Sequence, residues 1–367
     1  MFRTVTKRST IKDVAAEADV AISTVSLVTN GRGYVSPETT ARVLQAARKL
    51  SYSPRRAARS ISSDKTGNIG FVLRSDHFMR NEPFYSRIFL GTEFEADNHR
   101  WYVLLTTIPK EYVPIEHTPR FLRERNVDGI IVAGKVDPAF FTEVEGAGIP
   151  VVLIDFEMDA YPAVVIDNLG GARAAVDHLL DRGHRHIAFL GADMSHPSLS
   201  ERLEGFQLAI HAAGESLNPA RIIIDDKGEP VYETGMVLSE RLFACDPTPT
   251  AVFCVNDALA FCVLDQAARR GLLVPDDIAV VGFDDVPRAE HSHPPLTTVR
   301  VYKEQMGELA IRYLKEQMSD LSPSQLLYDR GSHTVKVPTE LIVRASSLAY
   351  TPSVDSIDNP VISAHPD

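Results

Sequence analysis

The chain has 367 residues, 44% of them hydrophobic and 24% charged, with a net charge of −11. That length and balance suit a soluble protein of two or three domains, and no apolar run approaches the 18 or so residues of a membrane span. Residues 1–66 carry twelve Lys and Arg against five Asp and Glu, a net of +7, so the other 301 residues hold −18. A basic head on an acidic body is the electrostatic footprint of nucleic-acid binding confined to one end.

Thr10 with Asp13 makes a short-acid capping box, and Ile11, Val14, Ala15 and Ala18 follow at the i, i+3, i+4, i+7 spacing of one helix face. After a break at Asp19 and Val20, a second helix turns Val25 and Val28 one way and Ile22, Ser23, Ser26 and Leu27 another, leaving a face free to read something. Ser36-Pro37-Glu38 is an N-cap, a proline at the first helical position and a first-turn acid, with Val43, Leu44, Ala47 and Leu50 behind it at core spacing. Two helices joined by a tight turn and clamped by a third form a helix-turn-helix domain, here over residues 1–53. Ser53-Pro54 restarts a helix, RRAARSIS, that has almost no apolar face. Over residues 54–66 this hinge helix and linker needs DNA or a second copy of itself to form, since so short a helix is marginal alone.

From Asn68 the chain alternates apolar runs with amphipathic segments: NIGFVL, WYVLLT, DGIIVAG, PVVLID, AVVIDN, HIAFLG, RIIID, AVFCVND and IAVVGFDD. Such runs are the mark of parallel strands buried on both faces by helices, so the body is α/β and doubly wound. Nine strands are too many for one small sheet and suit two of five or six. Ligands of open α/β sheets sit beyond the carboxyl ends of the strands. That rule picks out Ser75, Asp76 and His77, then Asp155, Asp167, Asn256, Asp257 and Asp284, although an Asp closing a strand also serves as an N-cap. Cys245, Cys254 and Cys262 are odd in number and lie in apolar segments, which reads as reduced core thiols; no histidine spacing suggests zinc, and no cofactor is called for. The tail, residues 346–367, has prolines and serines but no heptad leucines; it reads as disordered and limits assembly to a homodimer.

The motifs Thr10-Ile11-Lys12-Asp13-Val14-Ala15, Thr24-Val25-Ser26, Val35-Ser36, Tyr52-Ser53-Pro54, Ala58-Arg59-Ser60, Arg182-Gly183-His184, Gly282-Phe283-Asp284-Asp285 and Pro294-Pro295-Leu296-Thr297-Thr298 are weak singly. In this order and spacing the chain resembles the LacI/GalR family of bacterial transcription regulators over nearly its whole length. The resemblance implies a periplasmic-binding-protein-like body over residues 67–345: a first subdomain of about 67–164 and 292–324, and a second of about 165–291 and 325–345. Three crossings between them would make a hinge that closes on a ligand. It also implies that Arg202 and Asp284 meet the ligand, that Asn256-Asp257 and Phe84-Tyr85 line the cleft, and that His196 and Ser198 stand at specificity positions. A sugar's vicinal hydroxyls suit Asp, Asn and Arg, with an aromatic against the ring face. Where purine-binding members stack an aromatic on the base, this chain has Pro230 with Tyr232 nearby, which favours a sugar over a purine.

In the head, Ala21 stands where the family usually has a Ser or Thr cap, and Leu27 where many members aim Arg or His at a guanine. Leucine can offer only an apolar contact, such as to a thymine methyl. Ile22 and Ser23 become the main base readers, with Thr10 and Ser26 on the DNA-facing set, and Thr24, Asn30, Tyr52 and Arg59 as phosphate contacts. Ile61 matches the hinge-helix leucine that wedges into the minor groove.

The expected protein is a cytoplasmic, nucleoid-associated homodimer that binds a pseudo-palindromic operator and represses carbohydrate genes under control of a sugar or sugar-phosphate effector. A purine effector or an activator role stays open. The other classes are an enzyme and a transporter's ligand-binding protein. The first lacks a glycine-rich phosphate loop or a Gly-x-Ser-x-Gly elbow here, and the second would carry a signal peptide where this chain has its head.

Overall fold

The computed structural model describes residues 9–30, 33–52, 65–78, 83–319 and 334–348. It divides into two compact units, Met1–Thr66 and Gly67–Asp367. The expected hinge helix with Arg59 and Ile61, and the tail beyond Leu348, lie outside the described residues.

The first unit has helices α1 (Ile11–Glu17), α2 (Ile22–Asn30) and α3 (Pro37–Lys49). The Asp13 carboxylate accepts from both the Thr10 N–H (2.6 Å) and the Thr10 hydroxyl (2.8 Å), which starts α1. Ser36 Oγ accepts from the Thr39 N–H and starts α3. Val14, Ala15, Ala18, Val25, Val43 and Ala46 form the core, with Ile11, Val20, Val28, Ala47, Leu50 and Tyr52 packed around it. Leu44 is not part of it: it stays 43% exposed, and Ala46 takes the inward place. The buried face of α3 runs 43, 46, 47, 50, and Leu44 lies about 100° around the helix from Val43.

The second unit begins with β1 (Asn68–Arg74), α4 (Ser75–Phe78), α5 (Phe84–Asn98), β2 (Tyr102–Ile108), α6 (Arg120–Arg123), β3 (Gly129–Ala133), α7 (Ala139–Ala147), β4 (Val151–Ile154) and β5 (Ala163–Ile166). It continues through α8 (Asn168–Asp181), β6 (Ile187–Ala192), α9 (Pro197–Ala212), β7 (Ile222–Asp225), α10 (Tyr232–Phe243), β8 (Ala251–Cys254), α11 (Asp257–Arg269), β9 (Ala279–Asp284), α12 (Pro287–His291) and β10 (Thr297–Arg300). Helix α13 (Lys303–Gln317), β11 (Thr334–Val337) and β12 (Glu340–Ile342) close the fold. Two six-stranded sheets result, ordered β11-β5-β4-β3-β1-β2 and β12-β10-β9-β8-β6-β7. Every pairing is parallel except β10 with β12.

The nine expected strands are joined by β10, β11 and β12, and the subdomain boundaries shift. β5 stays in the first sheet, so the first crossing follows Ile166. β10 belongs to the second sheet although residues 292–324 were expected in the first; the return comes only after Arg300, with α13 packed on α5. β11 rejoins the first sheet beside β5, and only Glu340–Ile342 of the segment VKVPTELIV enters the second. The tail also starts later than expected. Ser346 and Ser347 are fully buried: Ser346 donates to the Val280 carbonyl (2.6 Å) and accepts from the Thr297 N–H (2.8 Å). Of the cysteines, Cys254 and Cys262 are buried, but Cys245 is only half-buried.

Helices α5 and α13 cross at a pair of glycines. A Cβ on Gly91 would fall on the Glu304 carbonyl, and one on Gly307 would fall on the Ile88 carbonyl. Backbone, unlike a side-chain tip, cannot swing aside. Gly91→Ala and Gly307→Ala should each destabilise the protein by about 1–3 kcal/mol despite alanine's better helix propensity. Chemical denaturation of the full chain checks this, and unchanged midpoints would mean that the two helices are free to part.

Candidate functional site

In the head, α2 buries Val25 and leaves Ile22 45% and Leu27 39% exposed. Ser23 is exposed and Thr24 and Ser26 are half-buried, so the sequence's two faces are present. Leu27 is not wholly free: Gly33, at φ +75°, passes so close that a Cβ there would lie 3.3 Å from Leu27 Cδ2. Thr10 is exposed but its hydroxyl is committed to Asp13. Tyr52 is half-buried against the head core, and burial raises its phenol pKa. Asn30 ends α2, and its side chain lies outside what is described.

In the body, a cavity of about 460 Å³ opens beyond the carboxyl ends of both sheets. From the first sheet it is lined by Asp76, Phe84, Tyr85 and Asp155. From the second come Asp193, His196, Ser198, Leu199, Arg202, the stretch Glu229 to Glu233, Asn256, Ala258, Asp284 and Arg288.

Arg202 enters on α9 and is 2% exposed. Its Nε donates to Asn168 Oδ1 (2.9 Å), and its Nη1 donates to the Val255 carbonyl (2.7 Å) and to Asp284 Oδ1 (3.2 Å). The guanidinium lies 3.7 Å from the centroid of the Phe283 ring, a stacking that a planar cation allows. Asp284 ends β9 at φ +108°, an unusual conformation for a residue with a Cβ. Burial raises its carboxyl pKa against the lowering effect of Arg202 and Lys303.

Across the cavity, Asp155 follows β4 at φ +67°. It accepts from the Tyr85 hydroxyl (2.8 Å) and, from the opposite subdomain, the Ser198 hydroxyl (2.7 Å). The His196 ring lies 3.9 Å away. Lys135 reaches across to the Ser195 carbonyl (3.0 Å). On another side, Glu229 accepts from Arg74 (3.4 Å) and Lys110 (3.1 Å) of the first subdomain. Arg74 also grips Asp76; burial would raise that carboxyl, but the hydrogen bond and charge of Arg74 overcome it and hold the pKa at about 2. Asp76, His77 and Glu229 come close enough together to hold a metal ion, yet Arg74 already supplies positive charge to both carboxylates.

Four of the expected strand-end residues, Ser75, His77, Asp167 and Asp257, do not line the cavity. His77 is buried behind Tyr85, their rings stacked at 4.9 Å and 4°. Gly134 at φ +73° lets the chain pass behind this stack, because a Cβ there would lie 2.6 Å from the Tyr85 hydroxyl and 2.8 Å from His77 Nδ1. Asp257 is 1% exposed and turned into the second subdomain, where it accepts from the Thr298 hydroxyl (2.5 Å) and the Val286 N–H (2.8 Å). Its neighbour Asn256 does line the cavity while capping α11, accepting from the Leu259 N–H and donating to the Pro230 carbonyl. Asp167 is the N-cap of α8. Tyr232 lines the cavity with its hydroxyl donated to Asp265 (2.7 Å). Of the lining residues not foreseen, Asp193 directly follows β6 and obeys the strand-end rule. Glu229 and Glu233 lie in or beside an irregular loop that no periodicity marks.

Comparison with known proteins adds the following. Residues 10–55 match the model for bacterial regulatory proteins of the lacI family, and residues 176–347 match that of the periplasmic binding protein-like domain. The HTH-type transcriptional repressor PurR of Pasteurella multocida is 30% identical over 342 residues, 92% of this chain and 98% of that protein. The PurR of Vibrio cholerae is 30% identical over 335 residues, with 90% and 98% coverage. Among solved structures, a lac repressor dimer bound to operator and the anti-inducer ONPF aligns with a TM-score of 0.76 at 26% identity, covering 94% of this chain and all of that one. A transcriptional regulator CelR–cellobiose complex aligns with a TM-score of 0.67 at 30% identity, covering 92% and 100%. Among the described residues no helix is long and apolar enough to cross a membrane.

The Arg202–Asp284 pair can be tested without any ligand. Removing one partner of a buried ion pair leaves the other charge uncompensated, so Arg202→Met should cost about 3–5 kcal/mol of stability. Adding Asp284→Asn to that variant should recover about 1 kcal/mol or more. Strict additivity in a double-mutant cycle on the full chain would show that the two groups are not coupled.

Proposed function

The chain belongs to the lacI family of bacterial regulatory proteins, and from that premise we propose that it is a homodimeric repressor, acting in the cytoplasm at the nucleoid, whose cleft takes an uncharged sugar. It works by binding and not by catalysis. Two heads read the half-sites of a pseudo-palindrome through Ile22, Ser23 and the Leu27 edge, and paired hinge helices wedge Ile61 at its centre. Ligand closing the cleft changes the spacing of the two first subdomains. A coupling of about 1–3 kcal/mol suffices to shift operator occupancy.

The observation that carries the sugar reading is the composition of one cavity. Arg202, Asp284, Asn256, Asp155 and Ser198 bring polar groups from both subdomains to it, the carboxylates of Asp155 and Asp284 keeping acceptor capacity beyond their protein bonds, and Phe84 and Tyr85 supply apolar ring surface. Such a set matches hydroxyls that both donate and accept, next to a ring's C–H face. Charge narrows the class further. Six carboxylates line the cavity (Asp76, Asp155, Asp193, Glu229, Glu233 and Asp284) against two arginines, Arg202 and Arg288. Arg202 spends its Nε and Nη1 on the protein. The neighbouring cations are already held by these carboxylates, Arg74 and Lys110 by Asp76 and Glu229 and Arg202 by Asp284, so a phosphate would have to compete for them and the uncharged sugar is favoured over the sugar phosphate.

A thermal-shift panel of cellobiose, glucose and galactose against glucose 6-phosphate and adenine tests this. An uncharged sugar should raise Tm, and Asp284→Ala, measured against its own lower ligand-free Tm, should abolish the rise while leaving ligand-free operator binding intact. Stabilisation by the phosphate or the nucleobase alone would sink the sugar reading. Operator affinity should weaken roughly 10³-fold or more between 50 and 200 mM salt, as expected when two basic heads neutralise phosphates; a salt-insensitive complex in a gel-shift titration would contradict it.

A further inference from the structure

Lys303 breaks two local rules at once. It occupies the first turn of α13, where the helix dipole favours acids, and its side chain is buried, with the residue 5% exposed. Its ammonium donates to the Asp284 carbonyl and to the Val301 carbonyl (3.3 Å), and it lies 5.8 Å from the centroid of the Phe84 ring. One side chain therefore joins the cleft aspartate of the opposite subdomain to the start of the crossing and stands over the aromatic wall of its own subdomain. Violations of this kind are kept where function requires them.

The surroundings of Asp284 point the same way. Asp284 and Asp285 hold consecutive positive φ angles of +108° and +49°, a strained turn for residues with a Cβ. Strain persists only where neighbours over-determine it, and here the neighbours flank the crossing. The Asp285 carboxylate accepts from Arg300 Nε (2.7 Å), at the end of β10, and from Arg344 (2.8 Å), past the third crossing. The Asp285 N–H donates to the Thr298 hydroxyl (3.3 Å) on β10. The Val286 N–H donates to Asp257, which takes the Thr298 hydroxyl as well.

We propose that Lys303 is a positioning residue that holds the Asp284–Asp285 turn in its strained form and ties it to the crossing at Val301 and Tyr302, so that a group engaging the Asp284 carboxylate also acts on the hinge. The role deepens the effector-site reading and rests on it for its purpose. Its test needs no effector, so the two fail separately.

Amide hydrogen exchange on the full chain is the experiment, with Lys303→Met, Lys303→Gln and Lys303→Arg. Lys303→Met, which removes the donor, should speed exchange at Asp285, Val286 and Lys303 together by at least tenfold. Amides of β6 and β8 in the same subdomain should not change. Lys303→Arg, which keeps both charge and donors, should restore protection, and Lys303→Gln, which keeps a donor, should restore part of it. Acceleration across the whole body in Lys303→Met, or only within α13, would overturn the proposal, as would no change. If Lys303→Met does not fold, Lys303→Gln decides: acceleration confined to the turn and the crossing supports the role, and wild-type exchange or global loss refutes it.

Discussion

A guanidinium and a carboxylate buried side by side constrain the rest of the cleft. Taking Arg202 and Asp284 out of water costs several kcal/mol for each ion, and their mutual attraction repays that only when the remaining donors and acceptors are also met. The chain meets them with backbone and amide groups that the fold has already fixed: the Val255 carbonyl beyond β8, the Asn168 amide at the start of α8 and the face of Phe283 on β9. Burial still raises the Asp284 carboxyl, so the pair is not fully compensated. A site of this kind is preorganised and polar, with little freedom to relax, which favours a ligand that brings its own hydroxyl donors.

The same constraint explains why the crossings lie where they do. The Asp284–Asp285 turn is strained, and the groups that hold it come from Thr298 and Arg300 before one crossing, Lys303 after it and Arg344 after another. β10 must therefore pair with β9 in the second sheet before the chain leaves, because Thr298 has to lie opposite Gly282 to reach Asp257 and the Asp285 N–H. Once across, α13 presses on α5 at Gly91 and Gly307, so that hinge and first subdomain join through backbone contact. Rigid contact on one side and a strained turn on the other suit a bistable joint better than a soft one.

The α/β class, the two sheets and most strands were legible because both-faces-buried strands are continuous Val, Ile and Leu runs that periodicity detects. β10 was not. Its Thr297 and Thr298 are fully buried, yet the Thr297 hydroxyl is satisfied by the Arg344 carbonyl and Ser347, and the Thr298 hydroxyl by Asp257 and the Asp285 N–H, most of them partners 40 or more residues away in sequence. To a hydrophobicity reading such a strand looks like a loop, and the boundary error followed from it. β11 and β12 are too short, at four and three residues, to carry a pattern. In the cleft, the strand-end rule found Asp155, Asn256 and Asp284 and could have found Asp193. It overreached at Asp257, because neighbouring residues at a helix start diverge by about 100°: Asn256 caps toward the cavity while Asp257 turns inward. His77 failed for a related reason, since a short helix after β1 leaves Asp76 at the cavity and carries His77 under Tyr85.

The head shows how one substitution can serve packing and recognition together. Leu27 is the position where the family resemblance calls for a polar base reader, and a leucine there forfeits any hydrogen bond to a guanine. Beside it Gly33, at φ +75°, lies near enough that a Cβ there would fall 3.3 Å from Leu27 Cδ2, so leucine and glycine suit each other at that spot. On the proposed reading, base contact falls to the first turn of α2, where Ile22 is 45% exposed and Ser23 is also open. An isoleucine offers only shape and apolar contact, and thymine methyls are the major-groove groups that reward it. On that reading the head would discriminate less by hydrogen bonds than by methyl contacts, and its half-sites should be ordered by A·T content at the positions that Ile22 and Leu27 reach.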